Sequence, residues 1–269
     1  MKKPAKFHFK RSQLAIPYAI FLILFIILPL LLILYYSFTD ADGKFCWFSN
    51  FVNFFSSGSK ISTLLVSIVI GAVNTILCLL IGYPIAYLLA NKKYNKSTVM
   101  VLLFIMPMWI NFVLRTAATR DLLNAIGING GEMPYLAVTI GMVYNYLPFT
   151  ILPLYSVMLK MDKSVIEASA DLGAGPFKQF TKAIIPMSMP GIISAATMVF
   201  MPTMSSYVIA DVLGERKIQL LGNLIDLSFN HSMWNNGSTI AVIMLVILSI
   251  SIFATRKVNK EDNTRGGLW

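Results

Sequence analysis

Glu167-Ala168-Ser169-Ala170-Asp171-Leu172-Gly173-Ala174-Gly175-Pro176 is the longest polar interruption between two strongly apolar regions of this 269-residue chain, and its reading decides the fold. Ser164 and Glu167 stand at capping-box spacing, which opens a helix that Ala168 to Leu172 continue. Gly173 is placed to end it, as a glycine just past the last turn commonly does. Pro176 suits the first turn of a second short helix, Phe177 to Ile185, because a first-turn residue needs no amide donor; Pro186 is expected to interrupt that helix. A helix, a glycine corner and a helix are expected, with a surface so poor in bulk that a partner can approach the backbone. That shape is a plug and not a catalytic cleft. The alternative is an ordinary amphipathic connector whose Glu167 only caps its own helix.

The regions on either side of this loop define the class. The chain is 57% hydrophobic and 13% charged, with mean hydropathy +0.70, whereas a soluble domain is about 45 to 50% apolar. It reads as an all-α, polytopic membrane protein. Spans of about 20 residues or more are expected near Ile16 to Phe38, Ile61 to Ala90, Thr98 to Thr119, Tyr135 to Leu159, Ile184 to Leu213 and Thr239 to Ala254. That makes six transmembrane helices in a single transmembrane domain over 1–269, with tails at 1–15 and 255–269 and the organising loop at about 160–183. The first apolar run is longer than a signal core and lacks a small-residue cleavage site, so it is read as an uncleaved span. Prolines inside the spans, Pro84 and Pro148 among them, predict kinked helices packed in a bundle. Asp40 to Lys60, with Trp47, Phe48, Phe51, Phe54 and Phe55, reads as an outer loop lying at the membrane interface. Leu220 to Phe229 is apolar enough for a short helix and too short to cross.

The net charge of +10 could suggest nucleic acid, but the basic residues fall in short clusters between apolar runs. They orient the chain. Sixteen Lys and Arg lie in the amino-terminal tail, the Asn91 to Ser97 loop, the Lys160 to Lys182 loop and the carboxy-terminal tail, against six on the other side, so both termini and the Glu167 loop are expected in the cytoplasm. The two cysteines, Cys46 and Cys78, draw neither a disulfide framework nor a metal site, and Cys78 reads as a small core residue. No phosphate loop, no zinc-protease motif and only His8 and His231 are found, so no catalytic or metal-ligating residue is assigned and energy is expected from a partner.

Glu-Ala-Ser, Gly173 six residues after the glutamate, and Ile185-Pro186 together resemble the cytoplasmic EAA loop of ABC transporter permeases. Ser169 stands where that motif has its second alanine, a small-for-small change. Gly141-Met142-Val143-Tyr144-Asn145-Tyr146-Leu147-Pro148-Phe149, Leu152-Pro153-Leu154-Tyr155, Asp162-Lys163-Ser164 and Pro190-Gly191-Ile192 resemble the spermidine/putrescine branch of these type I importer permeases. The resemblance runs from the first span to the last. It departs at Arg115-Thr116-Ala117-Ala118-Thr119, where the family carries an aromatic run after the arginine. The resemblance implies that Glu167, Ala168, Ser169, Asp171 and Gly173 form the coupling helix that docks on an ATPase. It also implies a second homologous permease, an ATPase dimer that binds ATP and magnesium, an extracytoplasmic polyamine-binding protein and a polyamine solute. No cofactor is expected in this chain itself.

For the solute path, Tyr207 and Asp211 stand four apart on one helical face near the outer end of the fifth span. An ionisable side chain there is costly unless it meets a cavity or a partner, and a carboxylate beside a phenol ring gives an ammonium both a counter-charge and a π face. The alternative is a helix-end carboxylate bonded to Arg216 or Lys217. Tyr144, Tyr146 and Trp109 are further candidates. Arg115 reads either as snorkelling to the interface or as an ion pair with Asp211 or with a partner permease. Other function classes stay open: a membrane-embedded enzyme or scaffold, or an importer of an amino acid, thiamine or an inorganic anion.

Overall fold

The computed structural model describes residues 15–91 and 99–265, with side chains through Phe253 and without that of Lys163. The amino-terminal basic tail and the basic cluster of the Asn91 to Ser97 loop lie outside the described residues, as do the carboxy-terminal basic side chains. In chain order the helices are α1 (Ile16–Ser37), α2 (Ser49–Ser56), α3 (Gly58–Ala90), α4 (Val99–Trp109), α5 (Phe112–Ala125), α6 (Pro134–Met158), α7 (Lys163–Asp171), α8 (Pro176–Met204), α9 (Tyr207–Leu213), α10 (Leu221–Asn230) and α11 (Trp234–Arg265). No strand is formed among the described residues; Thr39 and Phe45 make one isolated bridge.

Two compact units are present. The first comprises Met1–Ser57 and Ile225–Met244. Its α1 is apolar up to its last turn, where Ser37 is buried, and its most apolar stretch has no residue buried within the chain. Ser37 and Thr39 end it by donating their hydroxyls to the last-turn carbonyls of Leu34 and Tyr35, at 2.7 and 3.1 Å. A tight loop follows, closed by the Asp40 amide on the Lys44 carbonyl at 2.8 Å. Asn50 of α2 then donates to the carbonyls of Ser37 and Thr39 at 3.0 and 2.9 Å. Asn235 of α11 reaches the same Thr39 carbonyl at 2.7 Å.

The second unit comprises Gly58–Leu224 and Leu245–Trp269. Its centre is the mutual packing of α3, α6 and α8. Cys78, Ala86, Met142, Ile151, Leu154, Ala195 and Val199 are fully enclosed, and Cys78 sits in this core as its sequence context suggests. Polar side chains cross between these helices in pairs: Asn74 donates to the Thr203 hydroxyl at 2.7 Å, and Tyr83 and Ser188 share a hydrogen bond of 2.8 Å. Each pair satisfies groups that would otherwise be orphaned in a water-poor interior.

Five helices are long and apolar enough to cross a membrane, and a sixth crossing exists if the bent pair α4 and α5 counts as one. The third span, expected as one kinked helix over about Thr98 to Thr119, is instead two helices. Its two halves meet at 97°. Pro107 lies in a 3-10 turn over Met106–Trp109, Ile110 is extended, and the Asn111 side chain caps α5 by accepting from the amides of Val113 and Leu114. A proline followed by a strong amino-terminal cap stops one helix and starts another even inside an apolar run.

The fifth span is corrected at both ends. Pro186 does not interrupt it, because the π turn Phe180–Ile184 comes immediately before and its wider bore leaves room for the ring, so α8 runs unbroken from the loop into the core. At the far end α8 stops at Met204, where the amides of Ser205 and Ser206 fold back onto Pro202 and Thr203, and α9 is a separate helix. Likewise α11 begins at Trp234 and continues beyond Ala254 to Arg265.

Candidate functional site

The loop between α6 and α8 is built from local sequence. Asp162 caps α7 by accepting from the Ser164 amide at 2.9 Å, so the cap lies two residues before the expected Ser164. That hydrogen bond from the Ser164 amide holds the Asp162 carboxyl below the usual carboxylate range. Glu167 therefore does not cap this helix. At the other end Gly173 takes φ +79°, its amide bonds to the Ala170 carbonyl at 2.8 Å, and the Ala174 amide bonds to Ser169 at 3.0 Å. These two reversed bonds are the Schellman stop expected of a glycine in the left-handed region. Gln179 locks the corner from the other side by donating to the Ala174 carbonyl at 2.7 Å.

Glu167, Ala168, Asp171 and Gly173 are exposed and Ser169 is half-buried. Glu167 lines a hollow of about 220 Å³ with Tyr87 and Asn91 at the end of α3, Met158 and Leu159 at the end of α6, and Met161 and Ile166. Among the described residues the ion pair present is Arg120 with Asp121 at 3.0 Å, so neither Lys178 nor Lys182 neutralises Glu167 or Asp171. Two like charges four residues apart on one helix thus face outward without a cation paired to them among the described side chains. The expectation of a surface bare of bulk is corrected. Leu172 is 89% exposed and Phe177 78% exposed, one on each side of the glycine corner. Sequence reading missed them, although two large apolar residues bracketing a polar corner are a visible signal of a docking surface.

A methyl group added at Gly173 would meet no neighbouring atom within 4 Å, so substitution there tests backbone conformation alone. Gly173→Ala is expected to cost about 1 kcal/mol of loop stability through strain in the left-handed region. Co-purification of an ATPase should fall measurably; unchanged recovery would argue against a role for the corner geometry.

The solute-path candidates separate into two groups. Tyr207 and Asp211 share α9, Tyr207 partly exposed, and Asp211 accepts a hydrogen bond from Asn223 at 2.6 Å. The alternative bond from Asp211 to Arg216 or Lys217 is not formed; Asn223 takes that place while its own oxygen caps the Leu220 amide at 2.8 Å. The second group surrounds the broken third span. Arg115 is 7% exposed. Its Nε donates to Asn145 Oδ1 at 2.8 Å, its Nη1 to the Pro107 carbonyl at 2.5 Å, and its guanidinium lies 5.8 Å from the centre of the Tyr144 ring. Two readings of Arg115 are corrected: it neither snorkels nor pairs with Asp211, because its guanidinium is taken up by the Pro107 carbonyl at the break and by the Asn145 side-chain oxygen of α6. Asn145 is held in turn by the Gly141 carbonyl at 2.8 Å.

Arg115, Asn145 and Tyr146 line a hollow of about 350 Å³ with Met108, Ile110, Phe112 and Phe149. Tyr146 is buried, its hydroxyl sharing 2.8 Å with Ser206 and 3.3 Å with the Pro202 carbonyl, so it pins the α8 to α9 break and presents little surface to a solute. Trp109, at the outer corner of the third-span break, is 86% exposed and is not part of the lining. Tyr144 is exposed beneath Arg115. Tyr207 and Asp211 do not line this hollow.

An all-helical chain with several membrane-length helices and a helix–glycine corner–helix loop is the architecture of a transport permease. The chain belongs to the family of binding-protein-dependent transport system inner membrane components, whose profile matches residues 7–259. Among curated relatives, the spermidine/putrescine transport system permease protein PotB of Haemophilus influenzae is 34% identical over 277 residues, covering 96% of each chain. The PotB of Escherichia coli is 31% identical over 265 residues, covering 89% of this chain and 96% of its own. Among solved structures, a chain of a bacterial alginate ABC transporter superposes with TM-score 0.68 at 16% identity, covering 93% of this chain and 94% of its own. A chain of the MetNI methionine ABC transporter gives TM-score 0.56 at 16% identity and covers 77% of this chain and 99% of its own. The fold is thus that of an ABC importer permease, and the chain is a multi-pass membrane protein.

Proposed function

We propose that this chain is the permease subunit of an ATP-driven polyamine importer, carrying spermidine or putrescine through half of a translocation path. The observation that carries this reading is the 34% identity spread over 96% of both chains with a spermidine/putrescine permease. Glu167, Ala168, Ser169, Asp171 and Gly173, with Leu172 and Phe177, dock on an ATPase that binds ATP and magnesium and performs the hydrolysis. A second permease of PotC type, an ATPase pair of PotA type and a PotD-type binding protein complete the assembly, and both termini face the cytoplasm. Closure of the ATPases moves the corner, and α8 carries that motion to the break at Ser205.

On the solute side, Asp211 is the proposed ammonium partner, with Tyr207 on the same face of α9 and Asn223 orienting the carboxylate. Tyr144 and Trp109 contribute exposed rings to the path, while Tyr146 acts from behind by fixing Ser206. Asp211→Asn keeps the volume and a hydrogen-bond acceptor while removing the charge. It is expected to slow polyamine uptake about tenfold, the equivalent of roughly 1.4 kcal/mol, with the complex still assembled. Normal uptake would remove Asp211 from the path.

One observation favours another solute: Arg115 is buried beside a hollow without a carboxylate partner, an arrangement that suits a carboxylate or inorganic anion. Proteoliposomes holding the full assembly separate the readings. ATP-dependent uptake of labelled spermidine, lost when the ATPase is omitted, is expected. Uptake of an amino acid, thiamine or an anion with none of polyamine would replace the proposal with its alternative.

A further inference from the structure

We propose that α2 and the loop before it form an interfacial anchor, lying in the headgroup layer of the bilayer at the end of α1. This inference rests on the membrane crossing of α1 and on no assignment of solute. The helix carries two exposed stripes side by side: Phe48, Val52 and Phe55 at positions i, i+4 and i+7, and Ser49, Asn53 and Ser56 one residue on. A third face is turned inward, with Phe54 fully buried and Asn50 bonded to Ser37 and Thr39. A short helix with adjacent apolar and polar exposed stripes fits a boundary between hydrocarbon and water, and neither medium alone.

The position of the helix selects the occupant. Its two Asn50 bonds tie it to Ser37, the last residue of a 22-residue apolar helix, and to Thr39 two residues beyond, so it sits at the depth where that helix leaves the membrane. The preceding loop adds rings at the same level. Phe38 packs against Phe45, Phe48 and Phe51 at centroid distances of 6.2, 5.8 and 5.3 Å, yet Phe45 and Phe48 remain more than half exposed. Trp47 takes φ +50°, a conformation that side chains with a Cβ rarely adopt, and its ring is 69% exposed. The backbone there is strained, and the indole, edge-on to the Phe45 ring at 5.3 Å, is left largely exposed. An indole has its preferred place at the bilayer interface, where the ring meets acyl chains and the N–H meets water and headgroups.

The test uses the assembled transporter in phosphatidylcholine vesicles brominated either close to the headgroup or close to the chain ends. The emission lost on Trp47→Phe isolates the contribution of Trp47. That component should be blue-shifted, strongly quenched by the shallow bromines, weakly by the deep ones and little by aqueous acrylamide. Quenching by acrylamide as strong as that of free tryptophan overturns the proposal in favour of a solvated loop. Quenching by lipid in the isolated permease, with shielding from both quenchers in the assembly, overturns it in favour of a protein partner. A nitroxide on Val52→Cys, in a chain with Cys46→Ser and Cys78→Ala, gives a second reading: accessibility to oxygen is expected to exceed accessibility to a water-soluble nickel chelate, and the reverse order overturns the proposal.

Discussion

Gly222→Ala is expected to abolish recovery of folded permease. A methyl group built on Gly222 lies 2.4 Å from the carbonyl oxygen of Ser205, 2.8 Å from its carbonyl carbon and 3.1 Å from its Cα, all backbone atoms that cannot rotate away. The contact cannot be relieved cheaply, because both sides are fixed. On one side the Leu221 amide is bonded to the Ser67 hydroxyl at 2.8 Å and Asn223 bonds to Asp211; on the other Tyr146 holds Ser206. Overpacking of this kind costs on the order of 3 kcal/mol where the surroundings can adjust, and more where they cannot. The yield of monodisperse protein in detergent and its thermal midpoint should both drop sharply. Gly58→Ala, where an added methyl meets nothing within 4 Å, is the matched control and should behave as the parent. A Gly222→Ala protein as stable as the control would show that α10 does not pack against the Ser205 break as described.

The second large effect belongs to Glu167. Glu167→Gln removes the charge and keeps the shape of a side chain at the mouth of a hollow walled by Tyr87, Met158, Met161 and Ile166. With no cation of this chain paired to it among the described residues, the proposed partner is a basic side chain of the ATPase, its stem against those apolar walls and its head on the carboxylate. Losing one member of such an enclosed pair weakens docking by about 2 kcal/mol, roughly thirtyfold. ATP hydrolysis should then cease to respond to solute-loaded binding protein while membrane insertion is unchanged. Stimulation at the parental level would show that Glu167 is merely solvated.

The glycine corner was legible in the sequence because its determinants are neighbours: a glycine with positive φ, a proline at a first turn and a carboxylate two residues before the amide it caps. Even so, the cap was assigned to Ser164 instead of Asp162, since both residue types cap well and only the backbone decides between them. The break in the third span was legible only as a kink: Pro107 marks it within the apolar run Val99 to Ile110, but the sharp turn depends on the Asn111 cap, which carries no signal until the chain turns. Arg115 was misjudged for the same reason, its two acceptors being a carbonyl exposed by that break and an amide thirty residues away. The Asp211 to Asn223 bond joins separate helices, and no periodicity within one helix could predict it. Tyr146 and Tyr144 lie two apart on α6 and therefore on opposed faces, one buried and one exposed, a distinction that residue type alone does not draw.

The π turn at Phe180–Ile184 has a consequence for every map drawn along α8. Phe177 and Ser188 are eleven positions apart, which in a regular helix sets them within about 20° of the same direction. A π turn inserts one surplus residue, so everything above it is rotated by about 100° relative to everything below. Phe177 can therefore point outward, 78% exposed, while Ser188 turns wholly inward to Tyr83. The docking end and the membrane end of a single continuous helix are held out of phase, and a wheel diagram or cysteine pair designed across residues 180–184 must be shifted by one position to report true neighbours.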